Sequence, residues 1–400
     1  MQDYEIAVVG GGLAGSVAAF ALARGGRKVA LIAPDAAPVD ERTTALMDQS
    51  IRFMERLGLW DRISPSAAPL SVMQIIDGTD RLLRAPTAQF KSVDVGLQAF
   101  GYNIPNRVLL ETLQSAVADE ANITRLTGAV EAVAFSDEQV LLTLADGTTV
   151  STAFVIGADG RNSKVRESAG VNTRRWSYPQ SAVVLNFGHT LPHDNVSTEF
   201  HTPSGPFTQV PLPGRRSSLV WVVKPEEATH LLALSLDELS REVETRMQSM
   251  LGKASVEPGP QAWPLSSLMA DRFGKGRMAL VGEAAHAFPP IGAQGLNLSL
   301  RDVIALSELL STVSDRPIPS DAGDRFNRRR RADIMSRTFG VDLLNRSLLS
   351  DFLPVQMLRA GGLHLLSSAP PLRNLVMREG VEPGRGFRAF VETLREEIRR

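Results

Sequence analysis

The sequence predicts an α/β protein: a Rossmann-like dinucleotide-binding domain, a mixed-sheet domain that covers a substrate, and a helical C-terminal region. Three observations carry this. An apolar strand at the N-terminus runs into a glycine-rich turn and a small-residue helix, β-branched and aromatic runs broken by prolines fill residues 180–225, and from Asp324 the pattern is helical. At 400 residues the chain exceeds what one core usually organises. Two intimately joined domains are expected, or one large nucleotide-binding unit with a layer over the substrate.

In chain order, Ile6 to Val9 reads as a strand, Gly10 to Gly15 as a turn, Ser16 to Arg24 as a helix and Lys28 to Ile32 as a second strand, which makes a βαβ unit. Gln49 to Leu57 and Arg107 to Glu120 read as amphipathic helices, the second opening after Asn106 as a cap. Residues 70–100 between them read as strands. Val130 to Phe135 and Gln139 to Leu144 form short strands; the turn signal Ala145-Asp146-Gly147 then leads into a buried strand, Thr149 to Ile156. In residues 180–225 the breaks at Pro203, Pro206, Pro211 and Pro213 suit an antiparallel sheet with loops. Arg277 to Val281 is a further buried strand and Gly295 to Leu310 a helix. Pro354, Pro370, Pro371 and Pro383 mark breaks in the helical end.

Composition narrows the chemistry. Hydrophobic residues are 43% and charged residues 22%, an ordinary globular balance. With 43 basic against 44 acidic residues there is no global field for nucleic acid or an anionic membrane. Cysteine is absent, which removes disulfides, thiolate metal sites, iron–sulfur clusters and a Cys nucleophile. The six histidines lack metal-ligand spacing, so no metal is expected. Redox chemistry therefore needs a borrowed cofactor. The uncharged run Ile6 to Ala23 is long enough to resemble a membrane span, but Asp3 and Glu5 stand where a basic leader belongs, and its glycines suit strand, turn and helix. The cytoplasm is the default location.

Gly10-Gly11-Gly12-Leu13-Ala14-Gly15 satisfies G-x-G-x-x-G between strand and helix, the context that gives the pattern meaning. Gly10 permits the tight turn, Gly12 lets a pyrophosphate approach, and Gly15 lets helix and sheet pack closely. The acidic residue expected roughly 20 positions on, for a ribose hydroxyl, is not cleanly present. Asp35 is the first carboxylate after the second strand, and whether it or a main-chain group serves is open.

Two further stretches decide which dinucleotide. Val155-Ile156-Gly157-Ala158-Asp159-Gly160-Arg161-Asn162-Ser163-Lys164-Val165-Arg166 matches D-G-x-x-S-x-V-R, and Ala279-Leu280-Val281-Gly282-Glu283-Ala284-Ala285-His286 matches a G-D motif followed by A-A-H. With the N-terminal glycines, in this order, the chain resembles the flavin-dependent aromatic hydroxylases over most of its length. Asp40 to Leu46, Tyr102 to Arg107, Pro289 to Leu298 with Arg301-Asp302, Asp342 to Asn345, Leu358-Arg359 and Met377 to Gly380 resemble their ubiquinone-biosynthesis branch.

The resemblance implies a discontinuous, Rossmann-like FAD-binding domain over residues 1–70, 101–175 and 270–320, a substrate β-sheet domain over 71–100 and 176–269, and a C-terminal helical region over 321–400. It implies that Gly10, Gly12, Leu13, Ala14 and Gly15 hold FAD, that Arg42 and Arg107 contact it, and that the main chain at Val130 lies beside the adenine. Asp159 and Gly160 would lie where flavin and nicotinamide phosphates pass, Gly282 and Glu283 along the ribityl chain and diphosphate. Gly295, Leu296 and Asn297 would present backbone N–H groups to the isoalloxazine, with His286 and Pro290 near it. The chain departs from the family pattern at Glu283, where Asp is usual, and at Ala293, where Gly is usual.

With one glycine motif given to FAD, the resemblance implies NAD(P)H as a transient co-substrate and O2 as the oxidant of an aromatic ring. The leading expectation is hydroxylation of a polyprenylated phenol. Two others stay open: a small soluble aromatic substrate, to which Arg215, Arg216 and Trp221 do not speak decisively, and a flavin-binding scaffold that does not turn over. His286 is read chiefly as a packing and hydrogen-bonding residue, and Asp159 as a cofactor-site residue by its flanking motif, with a cap on the turn after its strand as the alternative. Arg325 and Arg328 to Arg331 form a basic cluster on a helix, read as a solvated face paired with carboxylates or as lipid-headgroup contacts. Leu343 to Leu366 is read as core or as a membrane-docking surface. Expected partners are thus the aromatic substrate, O2 and, peripherally, the inner face of the membrane or a quinone-biosynthesis complex, with no nucleic acid.

Overall fold

The computed structural model of the chain describes residues 2–35, 40–78, 87–290, 294–310 and 317–349. The strand Gln2–Val9 pairs in parallel with Val29–Ala33 on one side and Thr149–Gly157 on the other. Ile6 to Val9 are all buried, as a strand covered on both faces requires. Ile123–Thr127 and Met278–Leu280 extend the parallel order outward. The hairpin Val130–Phe135 and Val140–Leu144 pairs antiparallel with the first half of Thr149–Gly157, while Met278–Leu280 takes its last three residues. Helix Leu13–Arg24, made largely of Ala, Leu and Val, is buried from Gly15 to Ala23.

The second sheet is mixed. Its spine, Thr173–His189, runs antiparallel to Arg216–Val223 and Gln261–Ala270, and the order continues through Gly205–Leu212 and Val196–Thr202 to Val72–Asp77 and Ala88–Lys91. Val72–Asp77 runs parallel to Val196–Thr202. On the opposite edge His286–Ala287 pairs with Leu268 and Met269, so the A-A-H motif closes this sheet. One face, with Phe187, Phe200, Phe207 and Trp221, is a buried core with Leu231, Leu239 and Val243 of helices Pro225–Ala233 and Leu236–Arg246. The sequence reading did not place these helices, although Ser235 and Glu238 form a capping box whose S-x-x-E pattern was readable.

The other face meets the first domain through a three-stranded sheet of Thr43–Met47, Gly101–Pro105 and Ala68–Pro69. Thr43 Oγ1 donates to Ser218 Oγ at 2.9 Å, Asn103 Nδ2 donates to Pro211 O, and Asn186 Nδ2 donates to Glu41 O. One expectation is corrected here. The helix Asn106–Asp119 has Pro105 at its cap position, and Asn106 does not cap it. Asn106 instead donates to Asp40 and accepts the Thr44 hydroxyl. The folded strand pair supplies it with nearer partners than the helix N-terminus.

Helix Ala322–Leu349 straps the two sheets together. Asp324 and Asn327 accept the backbone N–H groups of Gly276 and Phe273 beside the parallel sheet. Asp342 accepts Tyr178 Oη at 2.5 Å and Trp176 Nε1 at 3.0 Å on the mixed sheet. Of the basic cluster, Arg325 pairs with Asp321 and Arg329 with Glu308, but Arg330 is buried against Asp302. The solvated, carboxylate-paired face expected here is therefore found, with Arg330 as its buried exception. Arg328 and Arg331 remain exposed near Met335 (43% exposed) and Phe339 (67% exposed). The side chains of the Leu343 to Leu366 segment, Leu358-Arg359 and Met377 to Gly380 lie outside the described residues. Among the described residues no helix is long and apolar enough to cross a membrane.

Candidate active site

Three adjacent parallel strands end flush, and a relay of backbone hydrogen bonds fixes the level. Gly10 N–H donates to Ile32 O at 2.8 Å, Ala158 N–H to Val9 O at 2.8 Å, and Val281 N–H to Gly157 O at 2.9 Å. The glycine, D-G and G-E motifs, separated by more than a hundred residues in the chain, thus sit side by side at the carboxyl ends of the sheet. That is where open α/β sheets bind ligands.

The glycines show what each is for. Gly10 has φ +114°, and a Cβ there would stand 2.3 Å from Ala158 O; a Cβ at Gly15 would stand 1.9 Å from Gly10 O. These two positions are closed by the fold itself. At Gly12 a Cβ would meet nothing within 4 Å, so here the fold leaves space. Gly12 caps helix Leu13–Arg24 without any side-chain hydrogen bond, leaving first-turn N–H groups of Leu13, Ala14 and Gly15 without intrahelical acceptors. A second helix, Gln294–Leu310, has Gly295, Leu296 and Asn297 in its first turn, and a Cβ at Gly295 would meet nothing within 4 Å among the described residues. Gly282, at φ +62°, lies between the two helices: its Cβ would come 3.2 Å from Ala14 Cβ and 3.6 Å from Ser299 Oγ. Two helix N-termini with space before them suit the anionic diphosphate and polar edge of FAD. Asp159 adds a buried carboxylate oxygen, Oδ1, with no partner among the described residues. The residues present fit the cofactor.

The other expected residues are placed as follows. Asp159 Oδ2 accepts the N–H groups of Lys164 and Val165 at the start of the short helix Lys164–Ser168, whose cap residue is Ser163, with Gly160 turning beside Asp159 at φ +78°. Arg42 forms a fork on Asp40 at 2.7 and 2.8 Å and lies 5.3 Å over the Trp263 ring. Burial alone would raise the Asp40 carboxyl, but hydrogen bonds from Arg42 and Asn106 outweigh it and hold it below the usual carboxylate range. Arg107 follows Asn106, whose N–H donates to Arg42 O, and it pairs with Glu111 on an exposed helical face. Glu283 is exposed, 3.5 Å from Arg161 Nε, and its charge helps raise Arg42 beyond what the Asp40 bond does. Val130 starts the hairpin just after Gly128, whose N–H donates to Ala33 O at the end of the second strand. Asp35, at the same end, accepts the Thr127 hydroxyl. Pro290 is exposed, and Ala293 lies outside the described residues.

His286 is buried, its Nε2–H donating to Asp302 Oδ2 at 2.7 Å and its ring stacked on Phe288. Asp302 Oδ1 in turn accepts Arg330 Nε at 2.7 Å, and Arg330 Nη1 reaches Asp333 at 2.6 Å. Burial and the neighbouring Arg337 charge lower Arg301, which also contacts Asp333, to about 10. Asn297 uses its side chain on the strand Thr43–Met47: Oδ1 accepts Met47 N–H and Ser50 Oγ, and Nδ2 donates to Ala45 O. Arg166 is the last residue of the D-G motif, whose pattern alone gives it no role. It is buried and donates to Ala284 O and Arg161 O, joining the D-G and G-E loops. Arg166 was legible as motif; Asp302 as its neighbour's partner was not.

Comparison with known proteins follows the same line. The model of the family described as "FAD binding domain" matches residues 3–336. A ubiquinone hydroxylase of Rhodospirillum rubrum is 34% identical over 94% of this chain and 89% of its own. The 3-demethoxyubiquinol 3-hydroxylase of Escherichia coli is 30% identical over 94% of this chain and 98% of its own. Among solved structures, a probable FAD-dependent monooxygenase from Pseudomonas aeruginosa superposes with a TM-score of 0.75, at 22% identity, over 91% of this chain and all of that one. These structural neighbours share the fold.

Proposed function

The chain belongs to the FAD-binding-domain family and is an FAD-dependent monooxygenase; from that premise we propose that it hydroxylates the ring of a polyprenylated phenol in ubiquinone biosynthesis, using NAD(P)H and O2. The observation that carries the reading is the face of the mixed sheet turned toward the converged motifs. Met73, Ile75, Phe90, Val184, Val210 and Val220 all stand there, each only partly buried, whereas on the central strands the alternates Val183, Leu185, Leu219 and Trp221 on the far face are packed core. A half-exposed apolar wall inside a two-domain protein suits an apolar ring with a hydrocarbon tail. Arg215 and Arg216, the cations that could grip the carboxylate of a small aromatic acid, are committed to Thr190 O and Glu257. This favours the prenylated substrate over the soluble one.

FAD, when bound, supplies the redox chemistry between reduced nicotinamide and O2. The chain's own part is to bind and orient. The open helix N-termini at Gly12 and Gly295 receive anionic and polar groups, the clamp of Arg166 keeps the two loops in register, and the apolar wall excludes water around the ring. For delivery of a lipid-borne substrate, the exposed Arg328, Arg331, Met335 and Phe339 on the last helix are assigned to peripheral contact with an anionic membrane surface. The test is deletion of the gene in its native host, with the quinone intermediates measured by mass spectrometry. A polyprenyl phenol one oxygen short accumulates on this reading. Unaltered ubiquinone, together with no turnover of prenylated phenols by the purified enzyme, overturns it.

A further inference from the structure

Strand Val196–Thr202 places Glu199 and His201 two residues apart, hence on one face. The register identifies the face. Glu199 lies opposite Thr208 and beside Ile75, and Thr208 lies opposite Val220, so the pair stands on the half-exposed apolar wall. Met73 and Phe90 of that wall pack around Phe100 together with Met47, whose N–H donates to Asn297 in the helix that opens at Gly295. Ile75 and Met73 on one strand thus lead from this polar pair to the Phe100 cluster, which is tied to the flavin-side helix through Met47.

On that wall the pair is built like an oriented base. His201 Nε2 and Glu199 Oε1 are 2.8 Å apart, and the second carboxylate oxygen, Oε2, accepts the Thr208 hydroxyl at 3.2 Å. His201 is only 9% exposed. With Nε2–H given to the carboxylate, Nδ1 keeps its lone pair, and among the described residues it has no hydrogen-bond partner. Asp77 is the ionisable residue beside it on the neighbouring parallel strand, and Gly205–Leu212 opposite contributes none.

We propose that His201, oriented by Glu199 and Thr208, accepts the proton of the substrate's ring hydroxyl. In this step the O–H bond breaks, an N–H bond forms at Nδ1, and the electron pair stays on the phenolate oxygen, from which it enriches the ring carbon that is oxygenated. The Glu199 carboxylate balances the imidazolium, and nothing is oxidised or reduced until the flavin acts. Glu199 is a positioning residue. The assignment rests on the monooxygenase reading above and adds the residue that prepares its substrate.

The experiment uses the FAD-loaded enzyme with 2-farnesylphenol in detergent, comparing wild type, H201Q and E199Q. Ultraviolet difference spectra report whether bound phenol is ionised, and product formation is followed against pH. Wild type is expected to bind the phenolate at neutral pH. H201Q is expected to keep its FAD and bind the neutral phenol within about threefold of the wild-type affinity. Its hydroxylation rate falls on the order of a hundredfold and recovers only as pH approaches about 10, where a phenol ionises unaided. E199Q shows a smaller loss with the same direction of pH change. An unaltered pH profile in H201Q, or neutral phenol bound to wild type, overturns this assignment alone. A wild-type enzyme that oxidises NAD(P)H but hydroxylates no phenol overturns the functional reading and this one with it.

Discussion

One methyl group separates two kinds of glycine in the first turn of the nucleotide helix. At Gly15 a Cβ would sit 1.9 Å from Gly10 O, inside the protein's own backbone; at Gly12 it would point into space the protein leaves open. Gly15→Ala is therefore expected to destabilise the apoprotein by roughly 2 kcal/mol or more. Gly12→Ala is expected to leave apoprotein stability within about 0.5 kcal/mol while weakening FAD at least about tenfold, or about 1.4 kcal/mol. Thermal unfolding of apoprotein and flavin titration check both, and equal flavin affinity in Gly12→Ala would show that the cofactor does not pass there. This contrast was legible in sequence because a glycine pattern encodes backbone approach directly. The Glu199 and His201 pair was not: the i, i+2 spacing is written in the chain, but which face it occupies depends on the register with Thr208 and Ile75.

Between elements a buried polar path runs through His286, Asp302, Arg330 and Asp333 and joins the A-A-H strand, the helix Gln294–Leu310 and the last helix. Burial works against the Arg330 charge, but Asp302 and Asp333 outweigh it and hold the guanidinium above its usual range. Asp302→Ala leaves that cation buried with one partner fewer and strips His286 of its acceptor, an expected cost of about 3 to 5 kcal/mol. Asp302→Leu combined with Arg330→Met is expected to cost less than the single change. Urea unfolding measures both; a loss below about 1 kcal/mol for Asp302→Ala would mark an ordinary solvated pair. No periodicity announces such a pairing, since its members lie on different elements and only packing brings them together. The basic run was visible, and reading it as a solvated face paired with carboxylates holds for Arg325 and Arg329 but not for Arg330, which helical geometry turns inward while Arg328, Arg329 and Arg331 point out. Asn106 misled for a related reason. A residue that suits a cap was claimed by Asp40 and Thr44 from the neighbouring strand.

At the scale of the whole molecule, the two sheets share their boundary with one strap, and the outer side of that strap carries the exposed Met335 and Phe339 beside Arg328 and Arg331. Wild type is expected to sediment with vesicles containing anionic lipid, and less so as salt is raised. Met335→Glu with Phe339→Glu is expected to abolish this while leaving hydroxylation of detergent-dissolved phenol intact. Equal sedimentation of the variant would place membrane contact elsewhere. The βαβ unit, the motif order and the strands of residues 180–225 were readable because each is a local pattern; the strands Gln261–Ala270 and His286–Ala287 at one edge of the mixed sheet were not read. The relay that aligns Gly10, Ala158 and Val281 was not, and it bears on how the protein is made. A chain emerging from the ribosome N-terminus first presents its glycine turn at the outset, yet the third strand end is not available until residue 281 has left the tunnel. The cofactor site thus stays incomplete through the whole interval between Gly10 and Val281, and flavin has no finished site to enter before that third strand end appears.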